Sequence, residues 1–456
     1  MIKKLLPFFF LAASTLMAQH TIKGIMSPKL KSDWIIIYKL EGTKKQFVDN
    51  TTIKSDSIFI GGNKEKIGAF ELQLPSDAKP GAYRVTYRLK EEGFVDFYYN
   101  NEDVAFVFNP SYPQKSIAFS ESSENMLYRN YLEAISIAQQ KLDSIQVVVL
   151  KEPKLDLAET YKKAYQELNY VQNSYEQKSK GKYVASVIKA TLRVNSPVIL
   201  NSVNAYLQQI KNSFFDRLDF EDPRLINSSF LTNRILDYIF YINYSKDLKK
   251  QQSLYKLSIT NVLSKIENIP YKKEIITFLI AQFETTKNIE IIDFLFEEHY
   301  NKLPIDIQNK KFKEDKQQLF AAEIGRIAPN FSWEEEGKHM EISSLNDAPN
   351  YILVFWSTSC SHCLREIPEL YSYSKTKSNL KVVAFALEND AFIWESYSKA
   401  NLKGWHNVLG LNKWENKIAR TYQINATPSY FILDKNKKII AKPDTIDKVK
   451  TFVEKL

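Results

Sequence analysis

Two cysteines occur in 456 residues, Cys360 and Cys363, with only Ser361 and His362 between them. A pair at this spacing can carry out thiol chemistry. The attacking species in disulfide exchange is the thiolate. A cysteine at the start of a helix meets unpaired backbone N–H groups and the positive end of the helix dipole, and both stabilise that anion. A second cysteine one turn further on is in reach to displace a mixed disulfide. The flanking residues supply these positions. Tyr351–Trp356 is an apolar run that reads as a strand, and Leu364–Leu370 continues at helical spacing, so Cys360 falls where strand gives way to helix.

Other residues join this pair as candidates. Ser361 and His362 form the dipeptide that tunes the redox potential. A positive charge on His362 beside Cys360 stabilises the reduced form and makes the disulfide more oxidising; the alternative for His362 is a solvent-facing helix position. Glu366 follows Cys363 by three residues and so shares its helix face. It is a candidate to take the proton that Cys363 must lose before attacking, against the alternative of a solvated charge. Thr427-Pro428 stands directly before the apolar strand Ser429–Leu433. Proline at such an entry is often cis, and the residue before it then offers backbone groups to an extended polypeptide; an ordinary trans proline is the alternative. Thr427, Pro428 and Trp356 are the candidate substrate contacts. A zinc site needs two further ligands, and His20, His299, His339 and His406 are dispersed, so no metal is expected. No cofactor is expected either, because the cysteines themselves carry the electrons.

The elements that must position these residues follow from composition and patterning. A chain of this length exceeds what one core supports, so several domains are expected. Gly totals only 12, and neither a GxGxxG nor a Walker-type motif is present. Residues 1–18 read as a signal peptide: Lys3 and Lys4, the apolar stretch Leu5–Ala13, and a small residue at Ala18 before the cut. An uncleaved anchor is the alternative, although the stretch is short for a bilayer. Without Lys3 and Lys4, the 62 basic side chains fall to 60 against 53 acidic ones. The lysines are scattered, which implies a mildly basic solvated surface and no nucleic-acid partner. Export to the periplasm or cell envelope fits the cysteine usage: large cores need no disulfide braces, so a lone CxxC reads as catalytic.

Residues 19–118 are β-rich, with short strands at Trp34–Leu40, Ser57–Ile60, Ala69–Leu74, Tyr83–Leu89, Phe94–Tyr99 and Val104–Phe108, and turn signals at Gly61-Gly62 and Lys79-Pro80-Gly81. This spacing predicts a small β sandwich or barrel. Residues 119–325 form a helical domain in which apolar residues recur at three- and four-residue steps, as at Leu127, Tyr131, Ile135 and Ala138. Seven to nine helices are expected, with Pro270 and Pro304 at helix starts. The aromatic stripe Tyr238, Phe240, Tyr241 and Tyr244 reads as helix-bundle core, with a peptide-binding surface as the alternative. His299 is expected at the surface or half-buried. Residues 326–456 alternate strands with helices, which predicts an α/β domain.

This last segment resembles the TlpA/ResA-like branch of thioredoxin-fold thiol-disulfide oxidoreductases. The likeness rests on Ala328-Pro329-Asn330-Phe331, on Phe355 through Cys363, on Glu366-Ile367-Pro368, and on Thr427-Pro428. The resemblance implies a thioredoxin fold over 326–456, with Cys360 as the attacking thiol, Cys363 as the resolving thiol, and Glu366 assisting proton transfer. The chain departs from the wider family in three places. Val354 stands where cytosolic thioredoxins have a buried Asp, Ser359 replaces the usual Trp before the first cysteine, and Ser361-His362 is neither Gly-Pro nor Pro-His. The β-rich segment, through Gly93–Phe97 and Glu102–Val104, resembles an uncharacterised domain that precedes such modules in exported bacterial proteins, and implies no activity.

The reading is an exported thiol-disulfide oxidoreductase, a reductase or isomerase, acting on protein thiols or disulfides and served by a membrane or periplasmic thiol donor. A homodimer is left open. The competing readings are a scaffold protein with an inert structural disulfide, and a thiol peroxidase. Against the peroxidase, the Pro-x-x-x-Thr-x-x-Cys pattern is missing, and Trp356 stands four residues before Cys360.

Overall fold

The computed structural model of the chain describes residues 20–60, 63–90 and 92–456. The expected signal peptide and the Gly61-Gly62 turn lie outside the described residues. The contacts divide the chain into two compact units. One runs to Thr285 and takes in Phe294–Leu303, and the other comprises Thr286–Asp293 and Pro304–Leu456.

The first unit opens with a two-sheet sandwich. Its strands are β1 (Thr21–Met26), β2 (Trp34–Glu41), β3 (Lys44–Thr52), β4 (Lys54–Ile60), β5 (Asn63–Gln73), β6 (Gly81–Arg88), β7 (Gly93–Tyr99), β8 (Val104–Phe108) and β9 (Ala118–Glu121). They form sheets in the orders β4-β5-β1-β8-β9 and β3-β2-β6-β7. Alternation sends Val95, Phe97 and Tyr99 of β7 inward to meet Tyr83, Val85, Phe106 and Phe108 in one apolar core. The patterning over 19–118 did not register β1, β3 or β9. β3 shows why: an edge strand with no buried residue, it is held by its backbone ladder to β2 from Trp34↔Thr52 to Glu41↔Lys44. In β1, Gly24 lies so close under Phe70 that a Cβ there would sit 2.0 Å from the ring.

Helices follow: α1 (Pro113–Ser116), α2 (Ser123–Lys151), α3 (Ala158–Lys178), α4 (Ala185–Thr191), α5 (Val203–Asn212), α6 (Pro223–Ile226), α7 (Ser229–Leu236), α8 (Leu248–Ser264), α9 (Ile269–Thr285), α10 (Ile289–Phe294) and α11 (Lys310–Leu319). Among the described residues this is ten helices from α2 to α11, against seven to nine expected, because short turns such as α6 carry too little periodicity to register. The stripe Tyr131, Ile135 and Ala138 of α2 packs on Tyr161, Ala164 and Leu168 of α3, with Leu127 at its margin. Residues 20–118 share the first unit with the helical stretch as far as 285, where Tyr98 of β7 meets the rings of Tyr128 and Tyr183 at 5.4 and 5.8 Å, whereas 286–293 and 304–325 of that stretch belong to the second unit. The aromatic stripe at 238–244 divides. Tyr238 is buried and Phe240 packs on Tyr255 and Phe283, whereas Tyr241 is 76% exposed and Tyr244 is also exposed. Pro270 stands in the first turn of α9, but Pro304 opens only a turn, closed by Ile307 N–H on its carbonyl at 3.0 Å; the next helix, α11, starts at Lys310 behind the Asn309 cap. His299 is half-buried.

The second unit carries the α/β sheet. After the hairpin β10 (Ser332–Glu335) and β11 (Lys338–Glu341) come β12 (Asn350–Trp356), α12 (Ser361–Ser374), β13 (Leu380–Glu388), α13 (Phe392–Asn401), β14 (His406–Leu411), α14 (Lys417–Thr421), β15 (Ser429–Asp434), β16 (Ile439–Ala441) and α15 (Ile446–Val453). The sheet order is β14-β13-β12-β15-β16. β12, β13 and β14 run parallel, and β15 is antiparallel to β12. Central β12 is covered on both faces, as parallel sheets require. Tyr351, Leu353 and Phe355 enter one core, and Ile352, Val354 and Trp356 enter the other with Ile367 and Leu370 of α12. This unit also takes in residues before 326: Ala322 lies in its core, and Gly325 N–H donates to Ile439 O at 2.8 Å.

Candidate functional site

The site forms where β12 ends. Cys360 is the N-cap of α12, and its Sγ accepts a hydrogen bond from the backbone N–H of Cys363 at 3.2 Å. On its other side, the Cys360 thiol donates to the Thr427 carbonyl at 3.3 Å. The Thr427-Pro428 peptide is cis. Both cysteines are free thiols. Cys360 is half-buried, and Cys363 is fully buried behind it.

Burial separates the two thiols chemically. For Cys360, burial opposes ionisation. Hydrogen bonds from the side chains of Cys363 and Thr427, and from the backbone N–H groups of Cys363 and His362, outweigh it and hold the thiol below its ordinary value. For Cys363, burial pushes the pKa up to about 12, and the hydrogen bond to Cys360 adds to the rise. One thiol is thus poised to ionise at the surface while the other keeps its proton.

Glu366 belongs to α12, and its side chain, 13% exposed, turns toward β15 and α15. Its carboxylate accepts from the Tyr430 hydroxyl at 2.9 Å and from Ile446 N–H at 3.3 Å. Burial raises the pKa of Tyr430; its hydrogen bond to Glu366 and the neighbouring Glu366 and Cys363 charges add to this. Tyr430 therefore belongs to the same electrostatic neighbourhood as the resolving position. Patterning did not single it out; the one signal was its place two residues past Pro428, where alternation turns it to the α12 face of the sheet. Register puts Tyr430 opposite Val354.

The remaining candidates separate. Ser361 and His362 are exposed at the start of α12, and the His362 ring faces Arg365, Nδ1 to Nη2 at 3.2 Å; its backbone N–H is the part that acts on Cys360. Trp356, expected as a substrate contact, is corrected by its burial: it is 0% exposed and packs against Tyr397 at a centroid distance of 5.4 Å. With both sheet faces covered, either parity of β12 points into a core, so Trp356 supports the site from within. Sequence reasoning also missed Glu388, a buried carboxylate at the end of β13 that accepts from Thr358 N–H at 2.5 Å. Its only signal was an acid closing an apolar strand.

A thioredoxin-like family profile matches residues 350–439. The thiol-disulfide oxidoreductase ResA of Bacillus thuringiensis (strain Al Hakam) is 32% identical over 133 residues, which is 28% of this chain and 72% of that protein. ResA of a Bacillus cereus strain is 29% identical over 152 residues, covering 32% of this chain and 83% of that protein. Among solved structures, a domain of a possible thiol-disulfide isomerase from Cytophaga hutchinsonii is 31% identical, covering 29% of this chain and 92% of that one, with a TM-score of 0.26.

Proposed function

This chain belongs to the ResA-like thiol-disulfide oxidoreductases of the thioredoxin-like fold, and on that premise we propose that it is an exported reductase or isomerase of protein disulfides, working through Cys360 and Cys363. The Cys360 thiolate attacks one sulfur of a partner disulfide. A mixed disulfide forms, and the partner's other sulfur leaves as a thiolate. Cys363 then gives up its proton to the Glu366 carboxylate by way of the Tyr430 hydroxyl, which accepts from the thiol as it donates to Glu366, and attacks Cys360 Sγ. The Cys360–Cys363 bond forms, and the partner leaves as a dithiol. Two electrons have passed to the partner, and a thiol donor of the membrane or periplasm restores them. Thr427 and Pro428 line the approach, the former through its backbone.

The observation that carries this reading is the asymmetry of the pair: Cys360 half-exposed, capped by Cys363 N–H and held below its ordinary pKa, and Cys363 buried and held above it. Export rests on residues 1–18 and on the sparing use of cysteine.

The test is reduction of a disulfide-bonded protein by the thiol form. Turnover is expected, with none from Cys360→Ser, and Cys363→Ser should accumulate the mixed disulfide. A Cys360–Cys363 potential between about −180 and −300 mV fits a reductase or isomerase. A value near −120 mV would make the protein an oxidant, and one below about −300 mV without exchange would make the disulfide structural. Cell fractionation tests export, which fails if the full-length chain remains in the cytosol.

A further inference from the structure

The three parallel strands end together beside Cys360. Register pairs Trp356 with Ala386 and Glu388 with Leu411. The residues just beyond the strand ends therefore converge: Ser357 to Ser359 after β12, Glu388 closing β13, and Lys413 after β14. Glu388 is 5% exposed. Its carboxylate accepts from Thr358 N–H at 2.5 Å and from the Ser357 hydroxyl at 3.3 Å. Ser357 Oγ in turn lies 2.9 Å from Ser359 Oγ and accepts Ser359 N–H at 3.2 Å. Lys413 Nζ donates to Ser359 Oγ at 3.0 Å.

These contacts allow one consistent direction of donation. The ammonium gives to Ser359, so the Ser359 hydroxyl is left to give to Ser357, and Ser357 gives to Glu388. The result is an ion pair bridged by two hydroxyls, and the bridge is the loop that leads into Cys360. Cys360 N–H closes that loop on Ser357 O at 3.2 Å. Asn412 and Lys413 both take left-handed φ angles, 69° and 42°, uncommon for such residues, and this turn delivers Lys413 to the loop.

We propose that Glu388 and Lys413 are positioning residues for Cys360: through Ser357 and Ser359 they clamp the loop before the nucleophile and balance a buried negative charge against a positive one, which sets how readily Cys360 ionises. The inference rests on Cys360 being the attacking thiol, as argued above. The other groups acting on Cys360 are Cys363 and His362 from α12 and the Thr427 carbonyl before β15, while Glu366 and Tyr430 lie on the Cys363 side. None of them joins this bridge, so each stays constant when the bridge is altered.

A clamp alone and a charge balance differ in sign. Loosening the loop from either end would move Cys360 in one direction. Removing the negative end makes the thiolate easier to form, and removing the positive end makes it harder. The experiment uses the full chain in its dithiol form. The pH dependence of Cys360 alkylation by iodoacetamide is read by mass spectrometry, alongside the equilibrium with glutathione. Glu388→Gln should lower the apparent pKa and Lys413→Met should raise it, each on the order of half a unit for a charge several ångströms away. Lys413→Arg should restore the wild-type value. Shifts of the same sign, or none, overturn the proposal. If Glu388→Gln does not fold, Lys413→Met against Lys413→Arg decides: a rise in the first alone supports the bridge, and equal values overturn it. A wild-type protein without disulfide exchange overturns the functional reading and this inference with it, whereas wild-type exchange with unshifted variants overturns this inference alone.

Discussion

Replacing Glu366 by Gln isolates the second half of the catalytic cycle. The amide keeps the size of the side chain and still offers an oxygen to the Tyr430 hydroxyl and to Ile446 N–H, which now donate to the carboxylate at 2.9 and 3.3 Å. What it loses is the ability to accept a proton. Burial holds Cys363 at a pKa of about 12, so at pH 7 only about one molecule in 10⁵ carries the Cys363 thiolate unaided. A positioned base typically contributes about 10²- to 10⁴-fold. Because the carboxylate sits behind Tyr430, the lower end is expected: resolution of the mixed disulfide slows roughly 100-fold at pH 7. Hydroxide replaces the missing base as pH rises, so the variant's rate should climb about tenfold per pH unit from 7 to 9, while the wild-type rate changes less. Formation of the mixed disulfide, which belongs to Cys360, should be unchanged. The assay is rapid mixing of the dithiol protein with a disulfide-bonded peptide, acid quenching, and quantitation of the mixed disulfide by mass spectrometry. Equal resolution rates in the two proteins, or a deficit that does not shrink between pH 7 and pH 9, would refute Glu366 as the proton acceptor.

Three further outcomes follow from particular contacts. In the dithiol protein, alkylation at pH 7 should label Cys360 faster than an unperturbed cysteine and leave Cys363 unlabelled until denaturant is added, because the two thiols are displaced in opposite directions; equal labelling contradicts the asymmetry. Glu102 is partly buried, which disfavours its charge, but it gathers hydrogen bonds from Ser122 Oγ at 2.6 Å, Ser123 Oγ at 2.9 Å, and the N–H groups of Ser123 and Glu124 at 3.1 and 2.9 Å, and the net effect lowers its pKa. A lowered folded-state value means stabilisation that is present above the ordinary carboxylate range and lost as pH falls through the folded value. Glu102→Ala should therefore cost about 1–2 kcal/mol at pH 7 by denaturant unfolding, with the gap to wild type narrowing at pH 3; a gap independent of pH contradicts the capping role. Gly24→Ala drives a methyl into the Phe70 ring and should destabilise by about 1–3 kcal/mol. Adding Phe70→Leu should recover part of that loss in the same unfolding measurement.

Much of the thiol site was legible because its geometry is local. Cys360 and Cys363 lie within one helical turn, Glu366 lies on the same face of that helix, and the strand before them is a single apolar run; helix periodicity alone relates these positions. The cis arrangement at Thr427-Pro428 was legible for the same reason, as a proline at the mouth of a strand. β3 was not legible, because an edge strand is held by backbone bonds to its neighbour and needs no apolar stripe. Trp356 was misassigned as a substrate contact because its neighbourhood in sequence says nothing about which layers cover β12.

What the sequence by itself determined is the chemistry on offer: two thiols, one turn apart, at the start of a helix. Tertiary structure decided which groups surround them. Tyr430 reaches the resolving side because β15 pairs antiparallel with β12, opposite Val354. Glu388 and Lys413 reach the nucleophile's loop because three parallel strands end in register. The reason is physical. Hydrogen bonding within a helix fixes neighbours a few residues apart. The Glu388 carboxylate and the Thr427 carbonyl meet the loop and thiol of Cys360 from residues 30 and 67 positions away in the chain, and only the pairing of strands brings those segments within a few ångströms.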